Sequence, residues 1–298
     1  MPQFLKVKQH ATHLFICVLL KLIYKKTNVN THITQQMELI SGLAFHKLAD
    51  WSFCKRYAIK DKPPVFTTEN DIVFINLDDF NECMNMLNTI RNPNKFILIS
   101  HNSDKTFNHT HLNALKKYVN KIYAINNICE DPCVVTIPIG FRDWPIHTGP
   151  ILQNILNQTA HLNKTNLVYM NFDITTNRKK RMECFNVFAN KNWVTQESNV
   201  PMVNFYLKML QSKYVLSPEG DGIDCHRIYE SIYFNSIPIL KTSQMDFFYK
   251  NWPVIIVNDW NEINENVLIE NYEHHINKLK TWKENNIGWE FPEYWLNK

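Results

Sequence analysis

The sequence predicts an α/β protein with two parallel-sheet halves. Three observations lead there. Short, continuous apolar runs recur along most of the chain and alternate with stretches of helical character. Those runs lack the in–out alternation of a half-exposed sheet, so their strands are expected to be buried on both faces. The pattern restarts near residue 160, and 298 residues suit two units of ordinary domain size.

The elements follow in order. Asp71–Asn76, Lys95–Ser100, Lys121–Ile125 and Cys133–Ile139 read as strands, and Asp79–Arg91 and Leu112–Val119 as helices. Pro145–His161 holds proline, glycine and a helix-like piece, and reads as the crossover between domains. Beyond it, strands are expected at Asn166–Asn171, Trp193–Thr195, Lys213–Ser217, Ile237–Leu240 and Pro253–Val257. Helices are expected at Arg178–Ala189, after the capping run Thr175-Thr-Asn177, and at Met202–Ser212, His226–Phe234 and Ile263–Trp282. The domains are therefore 1–35, an N-terminal extension; 36–155, an N-terminal Rossmann-like domain; and 156–298, a C-terminal Rossmann-like domain.

Composition narrows the function. The chain is 45% hydrophobic and 20% charged, which excludes disorder as a whole-chain reading. A net charge of +4 with no basic stripe gives no reason to expect nucleic acid as a partner. Seven scattered cysteines do not form a disulfide framework, so reduced thiols and a cytoplasmic location are expected. Cys129 and Cys133 read as ordinary thiols rather than half of a zinc site. The sequons at Asn108, Asn157 and Asn163 stand in an asparagine-rich chain and matter only if it is secreted. The apolar run within residues 12–24 contains Lys21 and is about half the length of a membrane span. It reads as a buried or partner-facing helix, with membrane anchoring the minor alternative.

One segment carries chemistry: Lys213 to Leu240, read as strand, glycine loop, helix, strand. Only six glycines occur in the chain, and Gly220 and Gly222 stand in this loop. They are expected to adopt positive φ or to let a ligand approach the backbone. The helix that follows offers free N–H groups and a positive dipole end to a phosphate. His226 and Arg227 lie in its first turn, and Arg supplies a planar fork suited to a diphosphate. Glu230, one turn on, would accept the two hydroxyls of a ribose. The bland alternative is a glycine turn before a helix with an internal Arg–Glu pair.

The order Ser217-Pro-Glu-Gly220, Arg227, Glu230-Ser-Ile232, Asn235-Ser-Ile-Pro-Ile239 resembles the nucleotide-sugar-binding part of exostosin-like glycosyltransferases. Asn235 stands where that family usually has glycine, and Ser231 where it has alanine. Ser100–Asp104, Ile137–Gly140 and Asn171–Arg181 are similar to segments of glycosyltransferase-like proteins of large DNA viruses. The resemblance implies a GT-B-like fold, two Rossmann-like domains facing a central cleft. It implies no cofactor beyond a nucleotide-sugar co-substrate, and a glycan or glycoprotein acceptor.

On that reading Thr176, Asn177 and Arg181 face the cleft and join Gly220, Gly222, His226, Arg227 and Glu230 around the donor. The base that takes the acceptor proton is sought at His101, Asp104 or Asp143, near strand ends, and Trp144 is a candidate stacking surface. No Asp-x-Asp stands at a strand end, so a metal-independent, inverting transfer is expected. The rival reading is a non-catalytic protein that keeps the fold and binds glycan or nucleotide without turnover.

Overall fold

The computed structural model describes residues 38–57, 71–89, 95–143, 148–159 and 161–298. The N-terminal extension with its apolar run, and Trp144, lie outside these residues. Residues 38–298 form one compact unit containing two five-stranded, all-parallel sheets.

The first sheet runs in sequence order: β1 (Trp51–Phe53), β2 (Ile72–Ile75), β3 (Phe96–Ser100), β4 (Val119–Ala124) and β5 (Val134–Thr136). Helix α1 (Gly42–Lys47) precedes it, α2 (Phe80–Leu87) joins β2 to β3, and α3 (His109–Leu115) joins β3 to β4. Successive right-handed crossovers between neighbouring strands place their helices on one face. Accordingly Val73, Ile75, Leu98 and Ile122 pack with Cys83 and Leu87 of α2 and Leu112 and Leu115 of α3. The alternate residues Phe74, Ile99 and Tyr123 point the other way, into a core shared with the second half of the chain.

Both termini of the described unit supply that second cover. Ile40 N donates to Glu290 O at 2.7 Å, Phe141 N donates to Ile40 O at 2.7 Å, and the Tyr123 hydroxyl donates to Leu296 O at 2.7 Å. The chain end thus returns to the first sheet through α11 (Pro292–Leu296), with Trp295 stacked on Trp252 at 5.6 Å. Neither β1 nor α11 was expected from the sequence. Each has five residues or fewer, too few to establish a period.

The second sheet has the order β10-β9-β8-β6-β7, with β6 (Asn166–Met170), β7 (Val194–Gln196), β8 (Ser212–Leu216), β9 (Ile237–Lys241) and β10 (Ile255–Val257). One face holds Val168, Tyr214 and Ile239 against α5 (Arg178–Phe188), α9 (Glu265–Glu270) and α10 (Tyr272–Asn285), through Cys184, Phe188, Leu268, Ile276 and Leu279. The other face holds Tyr169 and Val215 against α6 (Met202–Leu210) and α7 (His226–Tyr233), through Tyr206, Met209, Ile228 and Ile232. Phe188 is fully buried, a side chain whose burial contributes about 2–3 kcal/mol. The crossover helix α4 (Gly149–Thr159) packs on α6, and the short α8 (Asp246–Tyr249) follows β9.

The helix expected over 263–282 is two helices, because the chain turns at Asn271 and Asn264 caps the first by accepting from Val267 N. Helix α3 starts earlier than expected, at an Asn108 cap closed reciprocally by His111, and ends at Leu115 so that β4 can begin at Val119. Asn235 has φ +56°. It closes α7, with Ser236 N donating to Ser231 O at 2.8 Å and Asn235 N to Ile232 O at 3.1 Å. A left-handed residue is required there, and asparagine is the best substitute for glycine. The architecture is the GT-B-like pair of Rossmann-like domains, although sequential strand order sets the first sheet apart from a doubly wound one. Among the described residues no helix is long and apolar enough to cross a membrane.

Candidate active site

The strand order of the second sheet reverses between β6 and β8, which are neighbours although β7 lies between them in sequence. Such a switch point leaves a crevice at the carboxyl ends of the two strands, because their following loops diverge. The loops after β6 (Asn171–Asn177) and β8 (Ser217–Cys225) line a cleft of about 940 Å³ there. Ser198–Val200, after β7, extend its floor, and Asp104, Ile139 and Arg142 of the first domain form the facing wall.

Arginines dominate the inner part. Arg181, in the first turn of α5, is buried; its Nε donates to Glu219 O at 3.0 Å and its Nη1 to Asp173 O at 2.6 Å. Arg227 comes from the first turn of α7, and both guanidiniums lie over the Phe172 ring, at 5.7 Å for Arg227 and 5.9 Å for Arg181. Burial, and then the Arg227 charge, hold the Arg181 guanidinium below its ordinary pKa. The Arg227 Nε and Nη1 are buried and make no hydrogen bond, and neither arginine has a carboxylate at ion-pair distance among the described residues. A buried charged donor without a partner is costly, so an acceptor reaching the Arg227 donors would offset that cost.

His226 also lines the cleft, and its Nδ1 is 2.8 Å from Gly140 O. A carbonyl only accepts, so Nδ1 carries the proton and Nε2 is left for a ligand. Asp104 lies on the facing wall; although it is exposed, partial desolvation in the cleft and then the Asp221 charge raise its carboxyl above the usual value. Thr176 and both glycines line the cleft as expected. Asn177 acts behind it, accepting from Lys180 N and donating to Gly220 O at 2.7 Å. Arg178 and Lys179 are exposed, and Lys180 pairs with Glu219.

Several expectations need correction. Neither Gly220 nor Gly222 has positive φ; the glycines that do are Gly140, at +70°, and Gly288, at +86°. A Cβ on Gly222 would lie 2.8 Å from the Asn126 side chain, so the close approach there is to protein rather than to ligand. Glu230 is buried away from the cleft wall and accepts from the Tyr206 hydroxyl at 2.9 Å, leaving Tyr206 as the group on the wall. His101 is 1% exposed, off the wall, and pushed down to about 4 by burial. Its Nδ1 lies 2.9 Å from Asn102 Oδ1, and its Nε2 is buried with no hydrogen-bond partner. Asp143 is also off the wall, and its carboxylate accepts from Leu43 N at the start of α1. Both sit near strand ends, but packing turns them away from the cleft.

The sequence reading missed Phe172, Arg142 and Asp224. Phe172 and Asp224 fall inside segments already singled out, and Arg142 precedes Asp143, but nothing local says which of them faces the cleft. Cys225 lines the cleft, but burial pushes its thiol up to about 11 despite Arg227. Cys129 and Cys133 are free thiols, and no group of three or more metal-ligating side chains occurs among the described residues.

Residues 158–291 match the family described as RXYLT1 C-terminal domain. The chain is similar to ribitol-5-phosphate xylosyltransferase 1. It is 38% identical to the Homo sapiens protein over 55 residues, which are 18% of this chain and 12% of that one. It is 31% identical to the Mus musculus protein over 106 residues, 35% of this chain and 23% of that one. The aligned stretches thus span less than two thirds of either relative. Among solved structures, an OtsA apo structure aligns with a TM-score of 0.45 at 11% identity, covering 75% of this chain and 72% of that one.

Proposed function

We propose that the chain is a glycosyltransferase. It would move a sugar from a nucleoside-diphosphate sugar to a hydroxyl of a glycan or glycoprotein acceptor, without a metal and with inversion. The observation that carries this reading is Arg227, whose Nε and Nη1 are buried, unpaired and placed at the switch-point cleft beside Arg181. A diphosphate matches that pair in charge and in its supply of acceptors. Similarity to proteins named as xylosyltransferases makes a pentose such as xylose the first sugar to test.

In the transfer, the acceptor oxygen forms a bond to the sugar's anomeric carbon as the bond from that carbon to the phosphate oxygen breaks. The bonding pair leaves with the diphosphate. Arg227 and Arg181 stabilise the charge that develops there, in fixed positions and away from bulk water. His226 stands beside them, held by its Nδ1 contact with Gly140 O. Asp104 takes the acceptor proton from the opposite wall, and a carboxylate raised above its usual range suits that task better than an ordinary one.

A thermal-shift panel of nucleoside diphosphates and their sugars tests the site. A ligand present at 100 times its Kd stabilises the folded protein by about 2.7 kcal/mol. The same panel assayed for slow sugar-nucleotide hydrolysis tests the chemistry. Shifts without any hydrolysis or transfer would favour the non-catalytic binding protein, and no shift with any nucleotide would refute both.

A further inference from the structure

The loop between β8 and α7 is held by the first domain as much as by its own. Asp224, in that loop, is buried, and every bond its carboxylate makes is accepted. Oδ2 accepts from Ile139 N at 2.8 Å and from the Tyr229 hydroxyl at 2.6 Å, and Oδ1 accepts from the Tyr249 hydroxyl at 2.6 Å. Its backbone N donates to Asn126 Oδ1 at 2.8 Å, and Asn126 Nδ2 donates to Ser103 O at 3.1 Å. Two residues along, His226 Nδ1 donates to Gly140 O. Asn126, Ile139 and Gly140 follow the carboxyl ends of β4 and β5, so one side of the loop is fastened directly to two strand ends, and through Asn126 to Ser103 after a third.

Two backbone features show that the fit is specific. Asn126 is wholly buried at φ +48°, a conformation unfavourable to most side chains, and its amide ties the loop to the first domain, with Oδ1 bonded across the interface to Asp224 N and Nδ2 anchored on Ser103 O within the first domain. Gly222 leaves room for the Asn126 amide and for no Cβ. The loop that precedes Arg227 therefore has its position set by the first domain.

We infer that Asp224 and Asn126 are positioning residues that clasp the anion-binding loop to the first domain, so that His226 and Arg227 converge on a diphosphate only while the clasp is closed. The inference rests on the diphosphate reading of the cleft. Neither residue need touch the ligand. Asp224→Asn replaces one acceptor oxygen with a donor: turned towards Tyr249 the amide forces that hydroxyl to accept instead of donate, and turned the other way it meets the Ile139 N–H, which can only donate. Asn126→Gly removes both amide bonds, and relief of the positive φ offsets part of the cost to the fold.

Inorganic pyrophosphate is the probe, because it reads the cradle whatever the nucleoside. Titration calorimetry gives Kd, and thermal melting of the free proteins gives Tm. At least a tenfold weaker Kd in Asn126→Gly, with Tm within a few degrees of the unsubstituted protein, is the expected result, and a like loss is expected in Asp224→Asn. A purely structural role would lower Tm and leave the Kd of the folded fraction unchanged, which would overturn the inference while sparing the site. If Asp224→Asn does not fold, Asn126→Gly alone decides. No binding of pyrophosphate by the unsubstituted protein would overturn this inference and the diphosphate reading together.

Discussion

Replacing Arg227 with methionine should make the free protein more stable and the diphosphate complex much weaker. The opposite signs come from one geometry. Each buried polar donor without a partner costs about 1–3 kcal/mol, and Arg227 has two, Nε and Nη1. Methionine keeps the stem's contact with Phe172 and removes both donors, together with the repulsion on Arg181. Because Arg227 is only half-buried as a residue, the gain is discounted to roughly 2 kcal/mol, a rise of several degrees in Tm. When a diphosphate is bound, the same two donors make charge-assisted bonds of about 1.5–3 kcal/mol each. Losing both weakens Kd by on the order of 10²- to 10⁴-fold. Melting curves of the free proteins and calorimetric titration with nucleoside diphosphates measure the two effects. A lower Tm with unchanged nucleotide affinity would show that Arg227 is a structural residue and that the cleft has been misread.

Other consequences can be checked independently. Asp104→Asn should cut turnover at least a hundredfold while leaving nucleotide affinity within a factor of a few, since the carboxylate faces the acceptor; equal losses in both would place it in donor binding instead. Burial keeps His101 neutral in the folded state, with its pKa down from 6.5 to about 4, so the unfolded chain takes up the proton first as pH falls. Its contribution is therefore intact above pH 6.5 and lost progressively towards pH 4, by roughly 3 kcal/mol. Urea melts at pH 7 and 4.5 should show a smaller acid loss in His101→Phe than in the unsubstituted protein. Gly140→Ala should be severely destabilising, by several kcal/mol, because the residue has φ +70° and a Cβ would fall 2.3 Å from Ile40 O; a normal melt would contradict that contact.

Much of the fold was legible because it is written locally. Ile-Val-Phe-Ile at 72–75 and Tyr-Val-Leu at 214–216 are strands buried on both faces, and an apolar run says so without knowledge of the neighbours. Asn235 could be recognised as standing in a glycine's place, and its positive φ supplies the reason. Arg181 and Arg227 could be singled out because each follows a strand and opens a helix, where ligands gather in open sheets. The same rule failed for His101 and Asp143. Both lie close to strand ends, yet which way such a residue turns depends on what packs above it: His101 lies against Phe45 at 5.4 Å, and Asp143 is claimed by the amide of Leu43, 100 residues away in sequence. Glu230 failed similarly, since one turn of helix places it on the side of Arg227 but Tyr206 of another helix covers it.

By itself the sequence determined the two parallel-sheet halves, the glycine-poor chain's concentration of glycine at one loop, and the pair of arginines that make that loop a candidate anion site. These follow from periodicity, turn chemistry and charge within windows of a few residues. Only the tertiary structure decided the sequential order of the first sheet, the return of the C-terminal segment onto it, and the clasp around Asp224. Those rest on pairs such as Tyr123 with Leu296 and Asp224 with Asn126, which are 173 and 98 residues apart. A hydrogen bond across such a span leaves no local pattern, because either partner alone is compatible with many folds. Gly222 joins the two levels: its rarity marked the loop in the sequence, and its packing on Asn126 shows that the missing side chain makes room for the first domain.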